Sequence, residues 1–361
     1  MTSPLDLCDL RTRVQAAVDA EMQVQRTVLA PVGDELGPLI DAVERLIAGG
    51  KRLRAGFLYW GYRASGQPDS DALIRLAVAM EFFQAAALLH DDVMDGSDTR
   101  RGLPAAHRVF GALHADSGWS GDSARFGESA AILAGDLCLQ WSDELYATSG
   151  LPSRELDRGR RTFDTMRTQL MGGQYLDLLE SARGWDRLDT SARIDSARNV
   201  IRYKSAKYTI EHPLLIGAAV GGVEAVDMGR LSAYGLALGE AFQLRDDVLG
   251  VFGDPAATGK PAGDDLREGK RTVLVALALA HADTDQAALF EKLFGQPDLD
   301  ADGVAQLRGI IADTGAVAQV ETMIAELAAQ ARGALADAPA LDRQAVDVLG
   351  SLVTVTTSRT A

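Results

Sequence analysis

Apolar residues recur at helical spacing through almost the whole chain, and this pattern constrains the fold more than any other feature. Residues three and four apart share one face of a helix, whereas a half-buried strand alternates with a period of two. Sustained period-two alternation bounded by turn residues is absent. The pattern therefore predicts an all-α protein, with helices near 7–29, 38–48, 51–65, 70–94, 128–149, 154–180, 190–205, 207–220, 227–251, 270–282, 285–294, 301–313 and 315–336.

The chain reads as one domain, spanning residues 1–361, with a hydrophobic content of 47% that suffices for a sizeable core. It has no internal repeat, low-complexity tract or linker strong enough to divide it. The least regular stretches are 96–127 and 253–269, and each begins just after an aspartate cluster. Loops at such places supply the mobile, polar backbone that chemistry needs.

The composition limits which partners the protein can bind and in which cellular compartment it is expected. A formal net charge of −15 argues against a nucleic-acid partner and against electrostatic binding to anionic lipid. The two cysteines, Cys8 and Cys138, form no disulfide framework, which fits a reducing cytoplasm. The first residues lack an apolar signal core, and no run reaches the roughly 18 uninterrupted apolar residues of a membrane span. We therefore expect a cytoplasmic protein without stable membrane insertion.

An aspartate cluster, LLHDDVMD, ends the predicted helix at residues 88–95. Helical spacing predicts that Asp91, Asp92 and Asp95 share one face, where like charges repel unless a cation joins them. Hard Mg²⁺ prefers carboxylate oxygens and keeps open positions for substrate phosphates. An isolated DD pair is more often a solvated helix end, but here the preceding turn is wholly apolar. Carboxylates at the edge of an apolar groove are costly unless they are paired or bind metal.

A second cluster repeats this arrangement, with Asp246 and Asp247 following an apolar helix and Gln243 and preceding a glycine-rich loop. Two facing helices of a bundle can each contribute acids to one metal site. The repetition therefore favours a magnesium site formed between the two clusters.

Basic residues near both clusters predict anion binding. Arg100 and Arg101 follow the first cluster, and the segment GGKRLR places Lys51 and Arg54 three residues apart on one helical face. Alone, a GGKR run is more often an exposed turn. The segment GKPAGDDLREGKRT is not a P-loop, because five residues rather than four precede its second Gly-Lys pair. Nucleotide binding is therefore disfavoured.

Six ordered motifs over about residues 45–275 closely resemble the trans-isoprenyl diphosphate synthases, or polyprenyl synthetases, and most of all bacterial geranylgeranyl diphosphate synthases. They are GGKRLR (49–54), LLHDDVMDGSDTRRG (88–102), GD (135–136), GGQYLD (172–177), YKSAKY (203–208) and FQLRDDVLGVFGD (242–254) with GKPAGDDLREGKRT (259–272). The resemblance implies a single antiparallel helical bundle around a central cavity, and a homodimer. It also implies ionisation of an allylic diphosphate, head-to-tail attack by isopentenyl diphosphate, and proton loss.

The resemblance further implies residue roles. Asp91 and Asp95, supported by Asp92, would hold about three Mg²⁺ ions on the allylic diphosphate together with Asp246, itself supported by Asp247. The same diphosphate would contact Arg100, Lys204, Lys260 and Lys270, whereas the isopentenyl diphosphate would contact Lys51, Arg54, Gln84 and Arg101. The groups expected to face the developing cation belong to Lys204, Ser205 and Gln243. The departing diphosphate itself would accept the proton.

Three residues depart from the common family pattern. Gly250 replaces the last acid of the second cluster, so we expect lower metal affinity rather than lost activity. Gln84 stands where many relatives have a histidine, and its amide can still donate to an anion. Ser205 stands where threonine is usual, which keeps the hydroxyl group.

Side chains preceding Asp91 suggest a product length. Ala86 and Ala87 leave the first turn of the groove open, whereas Phe82 and Phe83 lie roughly 12–14 Å deeper at about 1.5 Å per residue. If at least one phenylalanine closes the groove, a twenty-carbon product follows; if both are ordinary core residues, farnesyl or longer-chain products remain open. A type I terpene cyclase and a non-catalytic subunit of a heteromeric synthase are the alternatives of a different class.

Overall fold

The computed structural model describes residues 4–185, 188–254, 263–296, 298–336 and 338–358. Short 3-10 turns cover Pro4–Asp9 and Asp34–Leu36, and two-residue strands β1 (Thr99–Arg100) and β2 (Leu103–Pro104) form an antiparallel hairpin. The α-helices are α1 (Leu10–Leu29), α2 (Gly37–Ile47), α3 (Leu53–Arg63), α4 (Asp71–Met94), α5 (Ala106–Asp116), α6 (Ser123–Ala147), α7 (Ser153–Arg183), α8 (Thr190–Val200), α9 (His212–Gly221), α10 (Ala225–Phe252), α11 (Asp264–Arg267), α12 (Val273–His281), α13 (Thr284–Leu293), α14 (Ala301–Asp313), α15 (Ala316–Ala336) and α16 (Arg343–Thr357).

The core is organised around α4, whose apolar residues are buried on nearly every side against α1, α3 and α6. The helix begins where the Ser70 hydroxyl accepts a hydrogen bond from the backbone N–H of Leu73 at 3.2 Å, which caps its N-terminus. Among the described residues, α4 is the one helix long and apolar enough to cross a membrane by length and composition, and 72% of its most apolar window is buried inside the protein. This burial fits a central core helix.

Helices α3 and α9 cross at backbone contact because each carries a glycine at the crossing point. A Cβ atom at Gly217 would overlap the carbonyl oxygen of Leu58, and one at Gly61 would overlap the carbonyl oxygen of Leu214. These glycines therefore set how closely α3, which follows the GGKR segment, approaches the helix that continues from the YKSAKY motif.

Replacing Gly217 by alanine should destabilise the protein, because the new methyl group meets rigid backbone rather than a flexible side chain. We expect Gly217→Ala to lower the free energy of unfolding by roughly 2–3 kcal/mol. The matched control is Gly229→Ala in α10, where a Cβ meets nothing within 4 Å and should stabilise the helix by about 0.5–1 kcal/mol. Urea unfolding of both variants measures the difference, and equal effects would contradict the packing argument.

The two helices predicted at 190–205 and 207–220 are wrong as separate elements, since α8 and α9 join through a continuous π-helical segment at Ile201–Glu211. This segment carries Lys204 and Ser205 of the YKSAKY motif. A π-helical bulge changes the direction of side chains within an otherwise regular helix and occurs frequently at functional sites. Apolar periodicity cannot reveal it, because the hydrophobic pattern runs through the segment.

Two further sequence predictions need correction. The stretch 96–127, predicted to be irregular, contains the β1–β2 hairpin and α5, and α6 begins at Ser123 rather than near 128. The spacing of apolar residues does not reveal helix α5, because two of its three buried residues are His107 and His114. Helix α16 was not predicted, although it buries Val348 and Leu352. Its last turn is rich in threonine and valine, which are weak helix formers.

A central cavity of about 590 Å³ lies among α3, α4, α7, the π-helical segment and α10. Helix α10 closes one side and packs against α15 and the π-helical segment. The predicted all-α bundle around a cavity is therefore confirmed. The fold does not test whether the chain divides into domains, so the single-domain assignment stays a prediction.

Candidate active site

The central cavity brings most of the predicted site residues together. Its lining includes Lys51, Arg54, Gln84, Ala87, Asp91, Arg100, Arg101, Lys204, Ser205, Gln243, Asp246, Asp247 and Lys270. Lys260 lies outside the described residues. Asp92, Asp95, Phe82, Phe83 and Ala86 do not belong to the lining. Asp91 of α4 and the two acids of α10, Asp246 and Asp247, thus line one cavity together with basic residues.

Asp91 is the most heavily paired acid of the site. Its carboxylate accepts hydrogen bonds from Lys204 Nζ at 3.1 Å, Arg100 Nη2 at 3.3 Å and Gln174 Nε2 at 3.0 Å. Burial favours the protonated form, but Lys204, Lys270 and Arg100 outweigh it and lower the pKa of Asp91 to about 2. Asp91 is therefore ionised and ready to bind a cation at physiological pH.

Asp92 does not line the large cavity, although Arg100, which contacts both Asp91 and Asp92, does. Its side chain is buried and pairs with Arg100, whose Nε donates to Asp92 Oδ1 at 2.8 Å. Asp92 instead lines a smaller cavity of about 140 Å³ behind the β1–β2 hairpin. The bonds to Asp92 outweigh burial and raise the pKa of Arg100. Asp92 therefore positions Arg100 at the edge of the cavity.

Lys204 is held between two acids, Asp91 at 3.1 Å and Asp177 at 2.5 Å. Although burial opposes a charged lysine, these acids raise the pKa of Lys204. No role was predicted for Gln174 or Asp177, although both lie in the recognised motif GGQYLD. Their spacing was the available signal, since residues three apart on a helix point to the same side.

Lys270 connects the segment after α10 to the first acid cluster. Its Nζ lies 2.7 Å from Glu268, 3.7 Å from Asp265 and 3.9 Å from Asp95. Despite burial, these acids raise the pKa of Lys270 well above its ordinary value. Burial and the charge of Asp91 raise the pKa of Asp95 to about 6. Asp95, although outside the lining, thus reaches the site through Lys270.

The second cluster contains a buried carboxyl group with an unused oxygen. Gln243 Nε2 donates to Asp247 Oδ1 at 2.7 Å, whereas Asp247 Oδ2 has no hydrogen-bond partner among the described residues. Asp247 is only 6% exposed. Burial, with the nearby charges of Asp265 and Asp246, raises its pKa to about 8 despite the bond from Gln243.

The raised pKa of Asp247 predicts a pH dependence of stability in metal-free protein. An unfolded aspartate has a pKa near 3.9, so between about pH 4 and 8 the folded protein holds a proton that the unfolded chain has lost. Stability therefore falls as pH rises through this range, by about 1.4 kcal/mol per pH unit from this group. In EDTA, urea unfolding from about pH 6.5 to 8 measures the free energy of unfolding. We expect this free energy to decline less steeply with pH for Asp247→Asn than for the unmodified protein. Parallel curves would contradict the assignment.

The GGKRLR segment is fixed by a buried ion pair. Arg52 Nη1 lies 2.8 Å from Glu81 of α4, and its Nη2 donates to the carbonyl oxygen of Ile47 at 2.7 Å. Arg52 and Arg101 both have left-handed backbone conformations, with φ values of 52° and 54°. Non-glycine residues in this conformation cost about 1–2 kcal/mol and cluster at functional sites. The packing therefore holds two basic turns in conformations that a free chain would rarely adopt.

These turns bring three predicted anion-binding residues to one end of the cavity. Arg54 Nη2 donates to Thr209 Oγ1 at 2.8 Å, and its guanidinium carbon lies 4.2 Å from the centre of the Tyr208 ring. The Arg101 guanidinium lies 3.6 Å from the point where a Cβ on Gly50 would stand, so it covers the glycine turn before Lys51. Arg54, Lys51 and Arg101 thus join Arg100, Lys204 and Lys270 among the basic residues that line the cavity.

The four predicted chain-length residues occupy different depths. Ala87 lines the cavity, whereas Ala86 is buried outside the lining. Phe83 stacks edge-on against Tyr208, which lines the cavity, with ring centres 6.3 Å apart. Phe82 instead packs edge-on against Trp141 of α6 at 5.9 Å. Phe83 is therefore the phenylalanine one layer beneath the lining.

The acids fit Mg²⁺ bound jointly with phosphate oxygens. Within the part of the chain that the structure describes, no group of three acidic, histidine or cysteine side chains converges to hold a metal alone. Mg²⁺ typically binds one or two carboxylates and fills its remaining positions with water and substrate phosphates. The unpartnered Oδ2 of Asp247 is an acceptor of the kind that such a hydrated ion would satisfy.

Comparison with known proteins decides the family. The sequence profile of the polyprenyl synthetases matches residues 38–311. The chain belongs to the polyprenyl synthetase family. It is 33% identical to nonaprenyl diphosphate synthase of Mycobacterium tuberculosis over 96% of this chain and 91% of that protein. It is 32% identical to geranylfarnesyl diphosphate synthase of Aeropyrum pernix over 85% of this chain and 89% of that protein.

The fold comparison agrees. A crystal structure of geranylgeranyl pyrophosphate synthase from Corynebacterium glutamicum, complexed with isoprenyl diphosphate and magnesium, superposes with a TM-score of 0.92 at 36% identity. The alignment covers 97% of this chain and 98% of that one. The predicted family and fold are therefore confirmed, and this polyprenyl synthetase is a prenyltransferase. The relatives differ in the chain length that their names give, so family membership leaves the product open.

Proposed function

We propose that this polyprenyl synthetase condenses isopentenyl diphosphate with an allylic diphosphate head to tail, in a reaction that requires Mg²⁺. The observation that carries this proposal is the presence of six basic residues together with the acids in one cavity. Arg100, Lys204 and Lys270 accompany the acids, whereas Lys51, Arg54 and Arg101 lie around the glycine turn. Two anion sites suit two diphosphate substrates, and a terpene cyclase needs only one.

The residues on the acid side bind and activate the allylic diphosphate. Asp91 and Asp95 on α4 and Asp246 on α10, supported by Asp247, would hold about three Mg²⁺ ions, which act as Lewis acids on the leaving group. Lys204 and Arg100 already contact Asp91, so they stand beside any diphosphate that the acids recruit. Their charges would stabilise the negative charge that builds up as diphosphate departs.

The residues on the opposite side orient the nucleophile. Lys51, Arg54 and Arg101 would bind the diphosphate of isopentenyl diphosphate, and Gln84 could donate a further hydrogen bond through its amide. Ser205 and Gln243 line the same cavity. Their dipoles, with the carbonyl of Lys204, would face the allylic cation, and the departed diphosphate would accept the proton.

We propose geranylgeranyl diphosphate, with twenty carbons, as the product. Ala87 leaves the cavity open next to Asp91, and Phe83 supports Tyr208 from beneath the lining. We therefore expect Phe83→Ala to give products longer than twenty carbons, because the removed ring opens a path below Tyr208. Phe82→Ala is the matched control, since Phe82 faces α6 and should change the product less. Unchanged product lengths in both variants would overturn this assignment.

The release of diphosphate from an allylic substrate tests the reaction class. We expect release that depends on both Mg²⁺ and isopentenyl diphosphate. Release without isopentenyl diphosphate would instead identify a terpene cyclase, and no release under either condition would identify a non-catalytic subunit.

We also propose a cytoplasmic homodimer. Large apolar side chains remain exposed on and before α6, where Trp119 is 50%, Phe126 37%, Ile132 40% and Leu133 58% exposed. A second copy of the chain would cover such a face. Light scattering of Leu133→Asp, which places a charge on this face, should show loss of the dimer, whereas an unchanged mass would contradict this interface.

A further inference from the structure

The recognised motif at Gly135 and Asp136 has no place in the proposed reaction, yet it lies against the helix that carries the first acid cluster. Helix α6, which contains the motif, packs along α4. A Cβ atom built at Gly135 would overlap the imidazole ring of His90, which directly precedes Asp91. Glycine is a poor helix former, so its position inside α6 indicates a close contact that a larger residue would prevent.

His90 is tied to α6 through one ring nitrogen. Its Nε2 lies 3.1 Å from the carbonyl oxygen of Ile132 and 3.4 Å from Oδ1 of Asp136. Both oxygens are acceptors, so Nε2 carries the proton and donates. The side chain of Asp136 is 58% exposed, so its carboxylate contributes little and the Ile132 carbonyl is the main partner. His90 therefore connects the end of α4 to the backbone of α6.

This connection acts on the end of α4 that carries Asp91. His90 and Asp91 are consecutive, so their side chains leave the helix about 100° apart. His90 contacts α6, whereas Asp91 lines the central cavity and contacts Lys204 and Gln174. Helix α4 ends at Met94, and the last turn of a helix has the least support from its own hydrogen bonds. The bond from His90 therefore restrains the rotation of this end about the helix axis.

We propose that the contact of His90 with the Gly135–Asp136 motif fixes the direction in which Asp91 presents its carboxylate to Mg²⁺. His90 does not line the central cavity, so it is a positioning residue that acts through Asp91. A rotation at the end of α4 would move Asp91 away from Lys204 and from an ion shared with diphosphate. This inference rests on the proposed function, because it takes Asp91 to bind Mg²⁺ together with diphosphate.

Calorimetric titration of Mg²⁺ into the full chain with inorganic diphosphate tests the role of His90. We expect His90→Leu, which removes the N–H donor, to weaken Mg²⁺ binding roughly tenfold. Gly135→Ala, which keeps His90 but displaces its ring, should weaken the binding as well. His90→Gln should keep the affinity within about threefold of the unmodified value, because the glutamine amide also donates an N–H at that distance from the backbone.

Ser142→Ala is the matched control, because it removes a hydrogen bond between the same two helices far from the acid cluster. Ser142 Oγ donates to the carbonyl oxygen of Ala79 at 2.7 Å, and Ala79 lies roughly three turns before Asp91. Urea unfolding should show a lower midpoint for both Ser142→Ala and His90→Leu. The Mg²⁺ affinity of Ser142→Ala should nevertheless stay within about twofold of the unmodified value.

An unchanged Mg²⁺ affinity in His90→Leu or Gly135→Ala would overturn the inference, and so would an equal loss in Ser142→Ala. A loss in His90→Gln as large as that in His90→Leu would also contradict it. Failure of the unmodified protein to bind Mg²⁺ with inorganic diphosphate would overturn it as well. Condensation by the unmodified protein is measured separately. Its absence counts against the proposed function, whereas the metal titration requires no turnover and so reports on His90 alone.

Discussion

Asp91→Asn is expected to lower kcat/KM for condensation by on the order of 10³-fold, with the helical content unchanged. Lys204, Arg100 and Gln174 all contact Asp91, and Lys204, Lys270 and Arg100 outweigh burial and lower its pKa to about 2. A neutral amide has the same shape but supplies no charge for a metal ion. It would also leave Lys204 paired with Asp177 alone.

The matched control is Asp98→Asn, seven residues further along the chain. Asp98 pairs with Arg108 at 2.9 Å, but its side chain is 82% exposed, so the pair should contribute little. We expect its kcat/KM to stay within about twofold of the unmodified value. Steady-state kinetics at saturating Mg²⁺ measures both variants. Equal activity of Asp91→Asn and the unmodified enzyme would contradict the assignment of the first acid cluster.

The second large effect is expected from removing the basic group at the glycine turn. The variant Lys51→Ala with Arg54→Ala should raise KM for isopentenyl diphosphate by roughly 10²–10⁴-fold, because each lost charge-assisted contact costs about 1.5–3 kcal/mol. KM for the allylic diphosphate should change far less, since that substrate binds beside Asp91. Initial rates with each substrate varied in turn separate the two effects.

Arg45→Ala is the matched control for this variant. Arg45 lies on α2 and lines the small cavity behind the hairpin, but not the central one. Its removal should leave both KM values nearly unchanged. Equal increases of both KM values in the double variant would contradict two separate diphosphate sites and would favour a single shared anion site.

The sequence could predict those features that depend on local spacing. Asp91 and Asp95 lie at the end of α4, where an apolar helix is followed by a polar, glycine-containing turn. This boundary depends on residues that are adjacent in the sequence. The same reasoning placed Asp246 near the end of α10. The basic residues Lys51 and Arg54 were likewise recognisable from a single short motif, and the structure brings them to the same cavity.

Features that depend on packing between distant elements could not be predicted. Asp92 pairs with Arg100, which lies in strand β1 of the hairpin, eight residues further along the chain. Asp265 stands against Gly250 only because α11 folds back onto α10. The π-helical segment around Lys204 arises from a change in backbone hydrogen bonding that leaves the apolar pattern intact. Each of these features depends on tertiary structure, so the spacing of residues within one segment does not predict it.

Condensation itself is the most direct test of the proposed synthase activity. The purified protein should be incubated with Mg²⁺, isopentenyl diphosphate and, in separate reactions, dimethylallyl, geranyl or farnesyl diphosphate, and the chain lengths of the products determined. We expect elongation of an allylic primer, with a twenty-carbon diphosphate dominant, and no reaction in EDTA. Absence of condensation with every primer would contradict the proposed synthase activity.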